Sequence, residues 1–205
     1  MRHQTLKQKA RQIEILSTLS KLDFATRRQL QAIHCLGSIR NANRVLKDLT
    51  PYCHITKIAR EHVYYLNKKG RDLLGITREV KKSSQLQHIL MRNESWMWLG
   101  FPEWKTEKSI EFSINGQRYQ IIPDATYFED NVPYFVEIDR MQHMKANEHK
   151  IQLYGYITDI YKRQNAIVPV IIFFTLSDYR QSKLEQYAIK QNVFMRTFVM
   201  EDVFS

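Results

Sequence analysis

Residues 121–140 read IIPDATYFEDNVPYFVEIDR, and the reading of this stretch decides the fold. Pro123 has no N–H to give a sheet ladder, so Pro123-Asp124 closes one extended run. A second run, VPYFVEID, carries Glu137 and Asp139 within otherwise apolar sequence. Side chains alternate along a strand, so Phe135, Glu137 and Asp139 share one face. An aspartate after proline also serves as a turn former. Glu137 is harder to dismiss, because it interrupts an otherwise apolar strand.

Outward from this stretch the elements alternate. QLQHILMRNESWMWLG is a helix ended by Gly100, and WKTEKSIEFSI and QRYQIIPD flank Asn115-Gly116, a two-residue hairpin signal. MQHMKANEHKIQLYGYITDIY reads as a long helix and VPVIIFFT as a buried strand. SKLEQYAIKQN then gives a helix and VFMRTFVM a last strand. Helix, three strands, helix, strand, helix and strand predict an α/β (α+β) sandwich with a mixed central sheet over residues 79–205.

This layout resembles the restriction-endonuclease-like PD-(D/E)XK fold, with Pro123-Asp124 and Glu137 at the positions of its acids. His88, on the helix before the hairpin, resembles the metal-binding histidine of the RecB-like branch. Gln152-Leu153-Tyr154-Gly155-Tyr156 is similar to that branch's Q-x-x-x-Y. The resemblance implies that Asp124 and Glu137, completed by His88, hold Mg²⁺ or Mn²⁺, hard ions that prefer oxygen ligands. The nuclease pattern puts a lysine two residues after the glutamate, where this chain has Asp139. Losing one preorganised electrostatic group costs on the order of 10²–10³ in rate. A cation can reach the same place from another element. Lys145, His149, Gln152 and Tyr156 fall at i, i+4, i+7 and i+11 of the following helix, so Lys145 is the first candidate. Lys150 lies nearer the Leu153/Ile157 core face and ranks below it. The expected catalytic positions are thus Asp124, Glu137, Asp139, Lys145, Gln152 and Tyr156.

The N-terminal part has a different character. Residues 1–80 hold 16 Lys/Arg against 6 Asp/Glu, while residues 81–205 hold 15 of each, so the whole net charge of +10 lies in the first part. Such asymmetry points to a module that meets a polyanion. LKQKARQIEILSTLS, RRQLQAIH with Thr26 as N-cap, and IRNANRVLKDL after Gly37-Ser38 read as three helices. In the third, Ile39, Ala42, Leu46 and Leu49 form one stripe and Arg40, Asn43, Arg44 and Lys47 another. HITKI and HVYYL pair across Ala59-Arg60-Glu61, and NKKGRDLLG starts a closing helix. Three helices and a hairpin over residues 1–78 resemble a winged helix-turn-helix. In such a module the third helix enters the major groove of double-stranded DNA. Arg40, Asn41, Asn43, Arg44 and Lys47 would face bases and phosphates, Ser38 a phosphate, and Lys57 and Arg60 would lie on or near the wing. A polar linker near residues 77–84 joins the two parts.

The basic winged helix together with HILMRNE, PDATY, FVEIDR and KIQLYGY is similar to the replication-relaxation family of bacterial plasmids and mobile elements, over nearly the whole chain. The resemblance implies a DNA-binding protein of plasmid replication or relaxation, with a relaxase or replication protein as a candidate partner. With Asp139 where the lysine is expected, the leading expectation is that its nuclease-like domain is degenerate. An active Mg²⁺- or Mn²⁺-dependent endonuclease is the first rival. A transcriptional regulator with a dimerising C-terminal domain is the second. No apolar run approaches the ~20 residues that span a bilayer, and the first residues have no signal-peptide pattern, so a cytoplasmic, plasmid- or nucleoid-associated protein is expected. Cys35 and Cys53 lack metal-ligand spacing.

Overall fold

A computed structural model describes residues 2–82 and 84–201. The contacts group the chain into two units that divide after Trp98.

The first unit runs α1 (Arg2–Leu22), β1 (Ala25–Thr26), α2 (Arg27–Ile33), α3 (Ile39–Lys47), β2 (Cys53–Ile58), β3 (Glu61–Leu66), α4 (Lys68–Leu74) and α5 (Leu86–Trp98). Its sheet has the order β1-β3-β2 and is antiparallel, with Lys57 opposite His62 near the tip of the hairpin. Local chemistry sets the helix starts. Thr26 accepts from the Gln29 N–H while the Gln29 side chain accepts from the Thr26 N–H, a reciprocal capping box. Ser38 caps α3 and Asn67 caps α4 in the same way from one side. Ile15, Leu16 and Leu19 of α1 pack with Leu30, Ala42, Val45, Leu46 and Leu49 in one core. Ile39, expected on that apolar stripe, is instead 59% exposed. Val45 takes the buried place, because the helix turns its Ala42–Val45–Leu46 edge inward from the second turn on.

The sequence puts the domain boundary at residue 78, whereas packing puts α5 with the first unit. Leu86, Ile89 and Leu90 close over Phe24 and Val63. Asn93 Nδ2 donates to the carbonyls of Leu22 and Phe24 at 3.2 and 2.7 Å. Arg28 grips Glu94 with two hydrogen bonds of 2.9 and 2.8 Å. These contacts carry the first unit past residue 78 to Trp98.

The second unit runs β4 (Lys105–Thr106), β5 (Ile110–Ile114), β6 (Gln117–Ile121), β7 (Ala125–Glu129), β8 (Val132–Asp139), α6 (Met144–Asn165), β9 (Val170–Thr175), α7 (Asp178–Lys190) and β10 (Met195–Val199). The central sheet has the order β10-β9-β8-β7-β4. Strands β8, β9 and β10 are parallel, β7 pairs antiparallel with β8 and β4 antiparallel with β7, so the mixed sheet expected from sequence is observed. Strands β5 and β6 form a separate hairpin through Asn115 and Gly116, both at positive φ (49° and 80°), as a two-residue turn of this type requires. QRYQIIPD does not continue into the sheet as one strand. Its ladder ends at Ile121, just before the proline, and ATYFE forms the additional strand β7. This strand turns into β8 through Asp130 and Asn131, at φ 48° and 64°. Phe135, Ile171 and Phe173 pack on one face of the sheet with Ile151, Tyr154 and Ile157 of α6 and Leu184 of α7.

Candidate functional site

Glu137 stands in the centre of the α6-facing side of β8 and is 2% exposed. Its Oε2 accepts from Lys150 Nζ and its Oε1 from the Tyr154 hydroxyl, each at 2.5 Å. Lys150 and Tyr154 stand four residues apart on α6, so one helix face delivers both. The β7–β8 register pairs Ala125 with Val136, and one step further puts Asp124 opposite Glu137. Asp124 Oδ2 is held at 2.7 Å by the Ile138 N–H. Burial, opposed by Lys150 and reinforced by Asp124, pushes the Glu137 carboxyl up to about 8. Tyr154 is raised well above its ordinary value, by burial first and then by Glu137. Burial thus favours the protonated form of the Glu137 carboxyl.

Asp139, 1% exposed, belongs to a second network on the same face. Arg180 of α7 meets it as a fork, Nε to Oδ2 at 2.7 Å and one terminal nitrogen to Oδ1 at 2.5 Å. Thr175 Oγ1 donates to Oδ2 and Asn147 Nδ2 to Oδ1, both at 2.9 Å. These four hydrogen bonds use both carboxylate oxygens fully. The same Arg180 nitrogen also reaches the Gln142 carbonyl at 2.5 Å, tying the β8–α6 connection to α7. Hydrogen bonding to Asp139 raises Arg180 further above its ordinary value. Asp139 thus braces strand, helix and loop.

The helix contributes its cation from Lys150. Lys145 and His149, set ahead of it by the sequence reading, are exposed. Gln152 and Tyr156 sit together, with Gln152 Nε2 at 3.3 Å from the Tyr156 hydroxyl. The Tyr156 ring lies 5.4 Å from that of Tyr119 on the β5–β6 hairpin. The motif's glutamine and second tyrosine therefore pack against the hairpin, and its central Tyr154 reaches the carboxylate. His88 is on α5 of the first unit.

The residues do not fit the expected cage for Mg²⁺ or Mn²⁺. Such ions need several oxygen ligands. Both Glu137 oxygens are engaged by Lys150 and Tyr154, and an Asp124 oxygen is engaged by backbone. Among the described residues no three of His, Cys, Asp and Glu converge on a metal position.

The first unit carries a second candidate surface. Ala42, Val45 and Leu46 face inward, leaving Ser38, Arg40, Asn43, Arg44 and Lys47 exposed on α3. Lys57 and Arg60 are exposed on the β2–β3 hairpin. Asn41 is half-buried and committed locally: its amide donates to the Leu36 carbonyl at 2.7 Å and its carbonyl accepts from Arg44 at 2.8 Å. Ion pairs in this unit go to other cations: Arg27 with Glu61, Arg28 with Glu94, Arg78 with Asp23. Arg40, Arg44, Lys47, Lys57 and Arg60 have no ion pair among the described residues. A face this basic, without internal counter-charge, is suited to a polyanion.

A family model described as replication-relaxation matches residues 16–171, most of both units. The chain belongs to the replication-relaxation family. None of the curated proteins matches it. Among solved structures, it is similar to that of protein VC1899 from Vibrio cholerae, at 10% identity and a TM-score of 0.36 over 91% of this chain. The match spans 48% of that protein, so this chain covers about half its length. No described helix is long and apolar enough to cross a membrane.

In this replication-relaxation protein the groups that sequence reasoning missed are Tyr154, Asn147, Thr175 and Arg180, together with the priority of Lys150. One signal was available. Asn147, Lys150, Ile151, Tyr154 and Ile157 share the helix face that a buried strand must meet, and that face carries three polar groups. Arg180 gave no such signal, because it arrives from a helix 41 residues beyond Asp139.

Proposed function

We propose that this protein is a DNA-binding accessory factor of plasmid or mobile-element replication, relaxation or transfer, acting with a relaxase or replication protein. Its first unit reads duplex DNA as a winged helix-turn-helix, and its second is a nuclease-like scaffold of the PD-(D/E)XK layout that does not cut. The observation that carries the DNA reading is α3, whose buried edge is Ala42–Val45–Leu46 and whose exposed edge is Arg40, Asn43, Arg44 and Lys47 without acidic partners. In the major groove such residues reach base edges and phosphates. The non-cutting reading rests on saturation of both acids of β8, Glu137 by Lys150 and Tyr154 and Asp139 by Arg180, Thr175 and Asn147.

Fluorescence anisotropy of a labelled duplex tests the first part. The full chain should bind it with an affinity that falls steeply with salt, and Arg40→Ala or Lys47→Ala should weaken binding. Salt-insensitive binding, or none, refutes it. The Glu137–Lys150 pair favours one rival, an endonuclease with its lysine moved to α6, which would need Lys150 and Tyr154 to release the carboxylate.

A further inference from the structure

Helices α1 and α3 enclose a groove of about 340 Å³ that the reading of α3 alone leaves unused. Lys7 and Arg11 of α1 line one wall and Arg44 of α3 the other. Lys7 and Arg11 are one helical turn apart and project from the same face. The acid at the rim is Asp48, and glutamines hold it. Gln8 Nε2 donates to its Oδ2 at 2.8 Å, and Gln12 Nε2 meets its backbone carbonyl at 3.4 Å. The two glutamines thus dock α1 against the end of α3. Lys7, Arg11 and Arg44 have no ion pair among the described residues, and the Arg44 guanidinium donates to the Asn41 side-chain carbonyl at 2.8 Å. Three cations against one already bonded carboxylate leave a local excess of positive charge. Like charges in excess of their counter-charge oppose folding, and an anion in the groove relieves that opposition.

We propose that this groove seats a backbone phosphate of duplex DNA, carrying the interface from α3 onto α1. Arg44 belongs to both surfaces, so a strand passing the reading face of α3 continues over Lys7 and Arg11. Contacts of this kind fix register and add affinity without reading bases. The inference rests on the DNA-binding reading of α3.

The test is duplex binding by the full chain across a salt series, comparing wild type, Lys7→Gln/Arg11→Gln, and Lys9→Gln, an exposed α1 cation that does not line the groove. The double variant should lower the slope of log Kd against log salt by about one to two, with unchanged preference among duplex sequences. Lys9→Gln should behave as wild type. Lys7→Arg/Arg11→Lys, which keeps the charges and the helix, should restore the slope. A double variant indistinguishable from Lys9→Gln overturns the inference while leaving the α3 reading intact if Arg40→Ala still weakens binding. A wild type that binds no duplex overturns both.

Discussion

Lys150 Nζ lies 2.5 Å from Glu137 Oε2, joining the middle of α6 to the buried centre of β8. The pair places an ammonium beside the carboxyl although residue 139 of the same strand is an acid. Tyr154, one turn along, covers the other oxygen, so the centre is closed on both sides. Asp139 contributes no charge to it, because Arg180 holds Asp139 in a separate network.

The proton on Glu137 links stability to pH. An ordinary carboxyl releases its proton near 4.5, whereas this one holds it to about 8. Between those values the native state binds one more proton than the unfolded chain, so stability falls as pH rises through the window. The slope from this group approaches ~1.4 kcal/mol per pH unit. Urea unfolding of wild type and Glu137→Gln between about pH 5 and 8 measures it. The variant should show a flatter dependence, and equal slopes would mean that the carboxyl titrates normally.

Removing Arg180 strands a buried carboxylate. Arg180→Ala should cost about 3–5 kcal/mol, the range for breaking a buried ion pair from one side. Asp139→Ala should cost a similar amount, and Asp139→Ala/Arg180→Ala clearly less than the sum. Denaturant midpoints of the four proteins give the coupling directly, and additive losses would remove Asp139 from its bracing role.

The extent of the first unit can be tested by truncation. A 1–98 fragment should unfold cooperatively, while a 1–80 fragment should not. The latter lacks Leu86, Ile89 and Leu90, whose burial is worth about 1.5–3 kcal/mol each against a total stability of about 5–15 kcal/mol. Circular dichroism melts separate the cases. A cooperative 1–80 fragment would restore the boundary near residue 78.

On the hairpin, Arg60 is exposed beyond the Lys57–His62 pair. Arg60→Ala should reduce the salt slope of duplex binding by about one with sequence preference unchanged. A changed preference would make Arg60 a base contact.

Much of the fold was legible because its signals are local. The Asn115-Gly116 turn, the Thr26 cap and the apolar run of β9 each state their role within a few residues. Strand β7 was missed although Asp130-Asn131 is a turn pair of the same kind, since Pro123-Asp124 reads as the end of a strand rather than as a break between two. The fate of α5 was not legible, because its docking depends on Phe24, Val63 and Asn93, residues far apart in sequence. Glu137 and Asp139 were found by their place in an apolar strand, and Asp124 by the Pro-Asp pair that closes the run before it. Their partners were not, because helix phase cannot be fixed from a short motif alone: taking Gln152 and Tyr156 as inward-facing rotates α6 by nearly half a turn, which turns Lys150 away and brings Lys145 in.

Supercoiled plasmid incubated with the full chain and Mn²⁺, then run on agarose before and after the protein is stripped off, tests the central claim most directly. The expected result is retarded DNA that returns to the supercoiled position once deproteinised. Nicked or linear product made by the wild type and abolished in both Glu137→Ala and Lys150→Ala would contradict it.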